Sequence, residues 1–390
     1  MASPATAANP AGLEDVVAAT SSICFLDGKQ GRLLYRGYDI HDLAANASYE
    51  EVVYLLLHDD LPTKAQLDEQ NARLVANREV PADVVKLLET LPKEKTHPME
   101  LLRTVVSALS AYDPDGFRDN SIPANVRKAE RLIAQLPTLT AYIKRLRAGE
   151  PLVHPRKTGG IAENFLYMVF GREPDPKHTH TINVALILHA DHELNASTFA
   201  ARVTAATLSD MYSSVVSGIG ALAGPLHGGA NEEVMKMLLQ IGDESKAESF
   251  ILDLLKHRDD LRAQGKTAPT ISGFGHRVYR TEDPRATHLR KMSEELGMLA
   301  DQPKWFRMSR TIEETMKREK GLWCNVDFYS ASTYYVMGIP TDLYTPFFAC
   351  SRVSGWAAHV LEQLGNNRLI RPRAEYTGTT DRTYTQLAAR

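Results

Sequence analysis

Residues 197–232 read STFAARVTAATLSDMYSSVVSGIGALAGPLHGGANE. The first part, 197–217, is rich in Ala, Val, Thr and Ser and carries few charges. It reads as a helix without a wet face, and such a helix lies deep inside a protein. Gly224-Pro225 then breaks the pattern, and Gly228-Gly229 follow His227. A charged helix opens at Asn231-Glu232-Glu233, with Val234, Leu238 and Ile241 on one face. The formal dinucleotide fingerprint at Gly218-Ile219-Gly220 lacks the preceding strand and βαβ unit it needs, so its small residues read as close helix packing.

Working outward, almost everything is helical. Leu101, Leu102, Val105, Leu109 and Tyr112 repeat at helical spacing, as do Ile161, Phe165, Met168 and Val169 before a stop at Gly171. Thr345-Pro346 reads as an N-cap with proline at the first helical position, in a helix of about twenty residues closed by Gly365. The exception is 23–35, where Asp27-Gly28-Lys29-Gln30-Gly31 separates two apolar runs as a hairpin turn. Linkers are expected at Pro62-Thr63, 93–98, 112–125 and 149–160. The charged region 243–320 reads as a smaller, more solvated lobe inserted into a larger helical body. The expected division is a disordered leader 1–11, a large domain from 12–226 and 331–390, and a small domain 227–330.

With 390 residues and a net charge of -3, the chain has core material for two or three domains and no field for nucleic acid or an anionic membrane. Its 43% hydrophobic and 24% charged residues exclude an intrinsically disordered chain. Cys24, Cys324 and Cys350 are too scattered for a disulfide framework or a CxxC metal site, which points to the cytoplasm. The opening MASPATAANP has no basic or apolar region, so no secretory signal is expected there. No apolar window approaches membrane-spanning length.

Four histidines sit in low-charge or glycine-rich contexts: His189, His192, His227 and His276. His227 lies just before a helix N-terminus, where the dipole favours a neutral imidazole able to donate to a carbonyl oxygen gaining charge. The alternative is a histidine that packs and caps a tight turn. Gly273-Phe274-Gly275-His276-Arg277-Val278-Tyr279-Arg280, followed by Asp283-Pro284-Arg285, gathers three guanidiniums at one loop. That suits an anionic ligand, or else forms a solvated basic loop. Asp327, in Asn325-Val326-Asp327, is an N-cap or a carboxylate shifted toward general-base duty by apolar neighbours. Phe348, Arg352 and Trp356 fall at four-residue steps, so Arg352 is expected to be partly buried and to need an anion. His189-Ala190-Asp191-His192 offers metal-like spacing without a third ligand group, so no metal is expected.

Gly224 to Glu232, Gly273 to Arg285 and Asn325-Val326-Asp327 resemble the ordered motif set of the citrate synthase family. Tyr35-Arg36-Gly37-Tyr38-Asp39-Ile40 and Arg371-Pro372 are similar as well, and the likeness spans roughly 12–380. The resemblance implies an all-α two-domain homodimer that condenses acetyl-CoA with oxaloacetate and hydrolyses citryl-CoA, a step of the tricarboxylic acid cycle, without cofactor. It implies that Asp327 takes a methyl proton, His227 stabilises the enolate and His276 polarises the ketone. His192, Arg285 and Arg352 would hold oxaloacetate, with Arg371 contributed by the neighbouring subunit. Gly273, Gly275, Arg280 and Asn325 would contact CoA.

Asp191-His192-Glu193-Leu194-Asn195 is one residue shorter than the form with two glycines, so Asn195 carries over only loosely. The extra N-terminal region of hexameric members is absent, so a simple dimer is expected. Three rivals are a 2-methylcitrate synthase using propionyl-CoA, a silent helical scaffold, and a metal hydrolase built on His189, Asp191 and His192. Gly275-His276-Arg277-Val278-Tyr279 resembles citrate synthases more than the methylcitrate enzymes, which often have proline after the histidine.

Overall fold

The computed structural model describes Leu13 and residues 16–390. The expected leader 1–11 lies outside the described residues. The hairpin forms as expected, with β1 (Cys24–Asp27) antiparallel to β2 (Arg32–Tyr35). A third strand, β3 (Tyr38–Asp39), extends it.

Sixteen α-helices follow among the described residues. They are α1 (Ile40–Asn46), α2 (Tyr49–His58), α3 (Lys64–Ala76), α4 (Ala82–Thr90), α5 (Pro98–Leu109), α6 (Ile122–Arg147), α7 (Ile161–Phe170) and α8 (Pro176–His189). The remainder are α9 (Ala196–Ala206), α10 (Met211–Leu222), α11 (Ala230–Ile241), α12 (Ala247–Ala263), α13 (Pro284–Leu299), α14 (Lys304–Lys320), α15 (Val326–Val336) and α16 (Tyr344–Gly365). No helix of the described residues is long and apolar enough to cross a membrane.

The stretch 197–217 is two helices, not one. Leu208 adopts a left-handed φ of 65°, and Asp210 caps the next helix by accepting from Ser213 N. The Asp overrides the apolar continuity, because a capping carboxylate satisfies amides that a continuous helix would not leave free. The pair α9–α10 then packs as an antiparallel hairpin against α16.

α16 is the central rod of the body, packed on α2, α6, α8, α9 and α10. It starts two residues earlier than the sequence suggests. Thr345 lies inside it and donates from Oγ1 to the Gly228 carbonyl at 3.0 Å, so it ties the His227 loop down rather than capping the helix. Gly218 of α10 meets α16 directly. A Cβ there would come within 2.9 Å of the Trp356 ring, so glycine is required by close approach.

α11 to α15 pack chiefly on one another, with α11 also reaching α16 and α13 reaching α8 and α1. A domain edge at residue 330 falls inside α15, which continues to Val336.

Candidate active site

The site gathers where the ends of several helices meet. The turn after α8 carries His192, and the hairpin holds that turn in place. Tyr35 Oη donates to the Asp191 carbonyl at 2.9 Å. The Asp191 side chain binds His359 Nε2 at 3.2 Å, both fully buried. Burial raises the Asp191 carboxyl, but His359 and Arg352 outweigh it and hold it low.

His227 lies in the turn between α10 and α11. Its Nε2 is 2.8 Å from Ser197 Oγ and accepts from the Ser197 backbone N–H at 3.4 Å. Ser197 is the second residue of α9, so the amide belongs to a helix N-terminus. The expected dipole partner was the following helix, α11. The contact instead comes from α9, which only the tertiary fold could bring there. Burial, then the Arg352 charge, lowers His227 to about 4. With Nε2 accepting, a neutral ring carries its proton on Nδ1.

His276 is held the opposite way. Its Nδ1 accepts from Val278 N at 3.0 Å and Tyr279 N at 3.2 Å, so the proton sits on Nε2. Burial, then Arg285, lowers it to about 4. The His276 ring stands 5.1 Å from that of His192 and 4.6 Å from that of Tyr279. Tyr279 Oη reaches His192 Nε2 at 3.3 Å. Burial first, then Arg285, His276, Arg352 and His227, pulls His192 well below its ordinary value.

Two arginines face these rings. Arg285, in the first turn of α13, is gripped by Asp283 through Nε at 2.9 Å and Nη2 at 2.7 Å. Arg352 of α16 is buried, stacks over Phe348 at 4.7 Å and donates from Nε to the His189 carbonyl at 2.7 Å. No carboxylate of the described residues pairs with it, and burial lowers its pKa. A buried guanidinium without a counterion is a ready anion site.

Asp327 is the second residue of α15. The N-cap is Asn325, whose Oδ1 accepts from Asp327 N at 3.1 Å, so the capping reading of Asp327 does not hold. Asp327 Oδ1 is buried without a hydrogen-bond partner among the described residues. Burial raises the carboxyl to about 7 against the opposing charges of Arg285 and Arg352.

Asn325 also donates from Nδ2 to the Gly275 carbonyl at 3.1 Å, and its backbone N–H reaches the Gly273 carbonyl at 2.9 Å. Phe274 and Cys324 form an antiparallel bridge between the two motif segments. A cavity beside this bridge is lined by Gly275, His276, Arg280, Leu322 and Trp323. Arg371 lies apart, exposed in the tail beside Arg202 and Glu362. A single chain does not bring it to the site.

His189, Asp191 and His192 do not offer converging ligand atoms. His189 Nδ1 binds the Ala185 carbonyl at 2.8 Å, and Asp191 is taken by His359. Among the described residues, the side chains that do converge are Glu282, Glu313 and Cys324, and Arg290 already pairs with both carboxylates.

A family profile described as "Citrate synthase, C-terminal domain" matches residues 12–373. The chain belongs to the citrate synthase family. It is 52% identical to "Citrate synthase 2" of Bacillus subtilis over 367 residues, covering 94% of this chain and 95% of that protein. It is 40% identical to "2-methylcitrate synthase" of Shewanella oneidensis over 381 residues, covering 97% and 98%. Its fold matches citrate synthase from Thermoplasma acidophilum, solved as a ternary complex with carboxymethyl coenzyme A and oxaloacetate. That match has a TM-score of 0.87 at 33% identity and covers 97% of this chain and 98% of the other. Membership in the citrate synthase family makes the chain an acyltransferase-type enzyme.

Within this citrate synthase-family site, sequence reasoning missed Ser197, Asp283, Tyr279 and the Asp191–His359 pair. Asp283 left a signal, since Asp-Pro at 283–284 is a helix start that places a carboxylate two residues from Arg285. Ser197 left none, because its role depends on α9 reaching His227.

Proposed function

We propose that this enzyme condenses acetyl-CoA with oxaloacetate and hydrolyses the citryl-CoA formed. One observation carries the reading: the unpartnered, buried Asp327 carboxyl oxygen stands in the field of two buried arginines that also acts on His227, His192 and His276. Asp327 takes a proton from the acetyl methyl group. His227 donates its Nδ1–H to the thioester oxygen as charge gathers there. The enol carbon then attacks the ketone carbon of oxaloacetate, whose oxygen is polarised by the Nε2–H of His276. Arg285, Arg352 and His192 hold the two carboxylates. Water next attacks the citryl thioester carbon, and the CoA sulfur leaves. These steps draw on no metal and no redox cofactor. Gly273, Gly275, Arg280 and Asn325 form the CoA side of the cleft, supported by the cavity at the bridge.

The large domain comprises 12–226 and the chain after α15, and the small domain runs from 227 to the end of α15. The tail carries Arg371 toward a neighbouring subunit, which makes the enzyme a homodimer. Light scattering should give a dimer mass; a monomer would leave Arg371 without a site, and a hexamer would contradict the simple assembly.

Acetyl-CoA is favoured over propionyl-CoA by Gly275-His276-Arg277-Val278-Tyr279 and by the higher identity to a protein named citrate synthase. A pocket separates the two donors by one methylene, worth about 1–3 kcal/mol. Thiol release measured with oxaloacetate and each acyl-CoA should therefore favour acetyl-CoA by roughly 10-fold or more. A propionyl-CoA preference would reassign the acyl donor. No turnover with either would overturn the reading.

A further inference from the structure

The hairpin touches the site at both of its ends. At its base, Tyr35 Oη donates to the Asp191 carbonyl beside His192. At its tip, the turn 28–31 rests on the loop that carries His276. The Gly28 carbonyl accepts from Arg280 N at 2.8 Å. Among the described residues, this is the one backbone–backbone hydrogen bond between 276–282 and another part of the chain. Residues 276–282 form no helix or strand, so they have no ladder of their own to fix them.

The contact is also steric. A Cβ on Gly28 would lie 2.1 Å from the Val278 carbonyl oxygen. Gly31, at the other side of the turn, has a left-handed φ of 65° that the turn itself requires. Gly28 has no such φ, so the hairpin alone would accept alanine there. Only the approach to Val278 demands a glycine. The peptide unit that Gly28 abuts runs from the Val278 carbonyl to the Tyr279 N–H. That N–H donates to His276 Nδ1 at 3.2 Å, beside the Val278 N–H at 3.0 Å. The imidazole therefore lies where this peptide places it. Tyr279 Oη, from the same segment, reaches His192 Nε2.

We propose that Gly28 is a positioning residue: by fitting against Val278 and accepting from Arg280, the hairpin tip sets where the His276 ring lies and how well its Nε2–H meets the ketone oxygen of oxaloacetate. The inference rests on the reading of His276 as the group that polarises that ketone. Gly28 acts through the 278–279 peptide rather than on the substrate. One hairpin thus fixes both the His192 turn and the His276 loop, whose rings stand 5.1 Å apart.

The test binds oxaloacetate, carbon-13 labelled at the ketone, to the full-length protein without acyl-CoA. A hydrogen bond from His276 Nε2–H draws electron density from the carbonyl and moves its carbon downfield of the free ligand. Gly28→Ala must part the tip from Val278 by about 1 Å, a misplacement that costs about 10²-fold in rate. The labelled resonance should return most of the way to its free position, and kcat should fall by about 10²-fold. KM for oxaloacetate should stay close to the parent value, because Arg285, Arg352 and His192 still hold the carboxylates. Lys29→Ala, an exposed position in the same turn, should match the parent in every respect. The α-hydroxy acid counterpart of arginine at position 280 replaces the amide N–H by an ester oxygen and adds no bulk. It should move the resonance in the same direction even where the alanine variant folds poorly. A parent-like resonance in either the Gly28→Ala or the ester protein would overturn the proposal, as would a Lys29→Ala protein that shifts as far. If the parent itself gave no downfield shift, the reading of His276 would fail and the proposal with it. A parent shift that survives Gly28→Ala overturns the proposal alone, so the two failures are distinguishable.

Discussion

Asp327→Asn should lose turnover by about 10²- to 10⁴-fold, the contribution typical of a positioned general base. Oxaloacetate should still bind, because Arg285, Arg352 and His192 are untouched. The same carboxyl governs a pH effect. Burial raises it to about 7, and the base must be ionised, so kcat/KM for the acyl donor should fall as the pH drops below about 7. Stability moves the other way. The folded protein holds a proton on Asp327 that the unfolded chain releases above about 4. The advantage of the protonated form is complete below about 4 and is lost as the pH rises through about 7. Above that, the native state carries an ionised carboxyl oxygen without a partner. Asparagine is neutral and of the same shape, so the variant should melt higher than the parent at pH 8 and close to it at pH 4. Thermal melts at the two pH values, beside a thiol-release assay, read both effects. Retained turnover, or a variant that melts lower at pH 8, would remove Asp327 from the role of base.

Asp283→Ala should be the most damaging single change to the fold near the site. The Asp283 carboxylate accepts from Arg285 Nε and Nη2, from the Arg285 backbone N–H at 3.1 Å, and from Val326 N at 3.1 Å. It therefore caps α13, fastens the start of α15 and neutralises a buried guanidinium. Breaking a buried pair by deleting one partner costs about 3–5 kcal/mol, because the other charge stays behind. Burial raises the Asp283 carboxyl, but Arg285 outweighs it and holds it low. Its contribution is thus present above the unfolded value of about 4 and is lost as the pH falls through the lower folded value. Denaturant titration at pH 7 should show the full loss, and KM for oxaloacetate should rise as Arg285 swings free. Asp283→Asn keeps the cap and removes the charge, so it should fall between parent and alanine variant. An alanine variant as stable as the parent would show that Arg285 finds another partner.

Both predictions turn on residues that the sequence presents unequally. Asp327 stood out because a carboxylate sits among Trp323, Val326 and Phe328 in a short apolar run. Asp283 was visible only as part of an Asp-Pro helix start. The hairpin, the helix ending at Gly171 and the loop at 149–160 were legible because turn chemistry and helical spacing are local. The break at Leu208–Asp210 was misread, since a polar pair inside a long Ala- and Ser-rich run looks like a tolerated interruption until the two halves are seen folded against each other.

What the sequence by itself determined is the helical architecture, the order of the motifs and the residue types able to perform the chemistry. These depend on periodicity, caps and side-chain chemistry, which are properties of neighbours in the chain. Only the tertiary structure decided which nitrogen of each histidine carries its proton. His227 Nε2 accepts from an amide at the start of α9, thirty residues earlier. Likewise, a buried Arg352 without a paired carboxylate and a buried Asp327 oxygen without a partner, among the described residues, arise only once helices far apart in the chain have closed around them. Composition says what a side chain can donate or accept; where each proton rests is settled by which groups the fold leaves within reach.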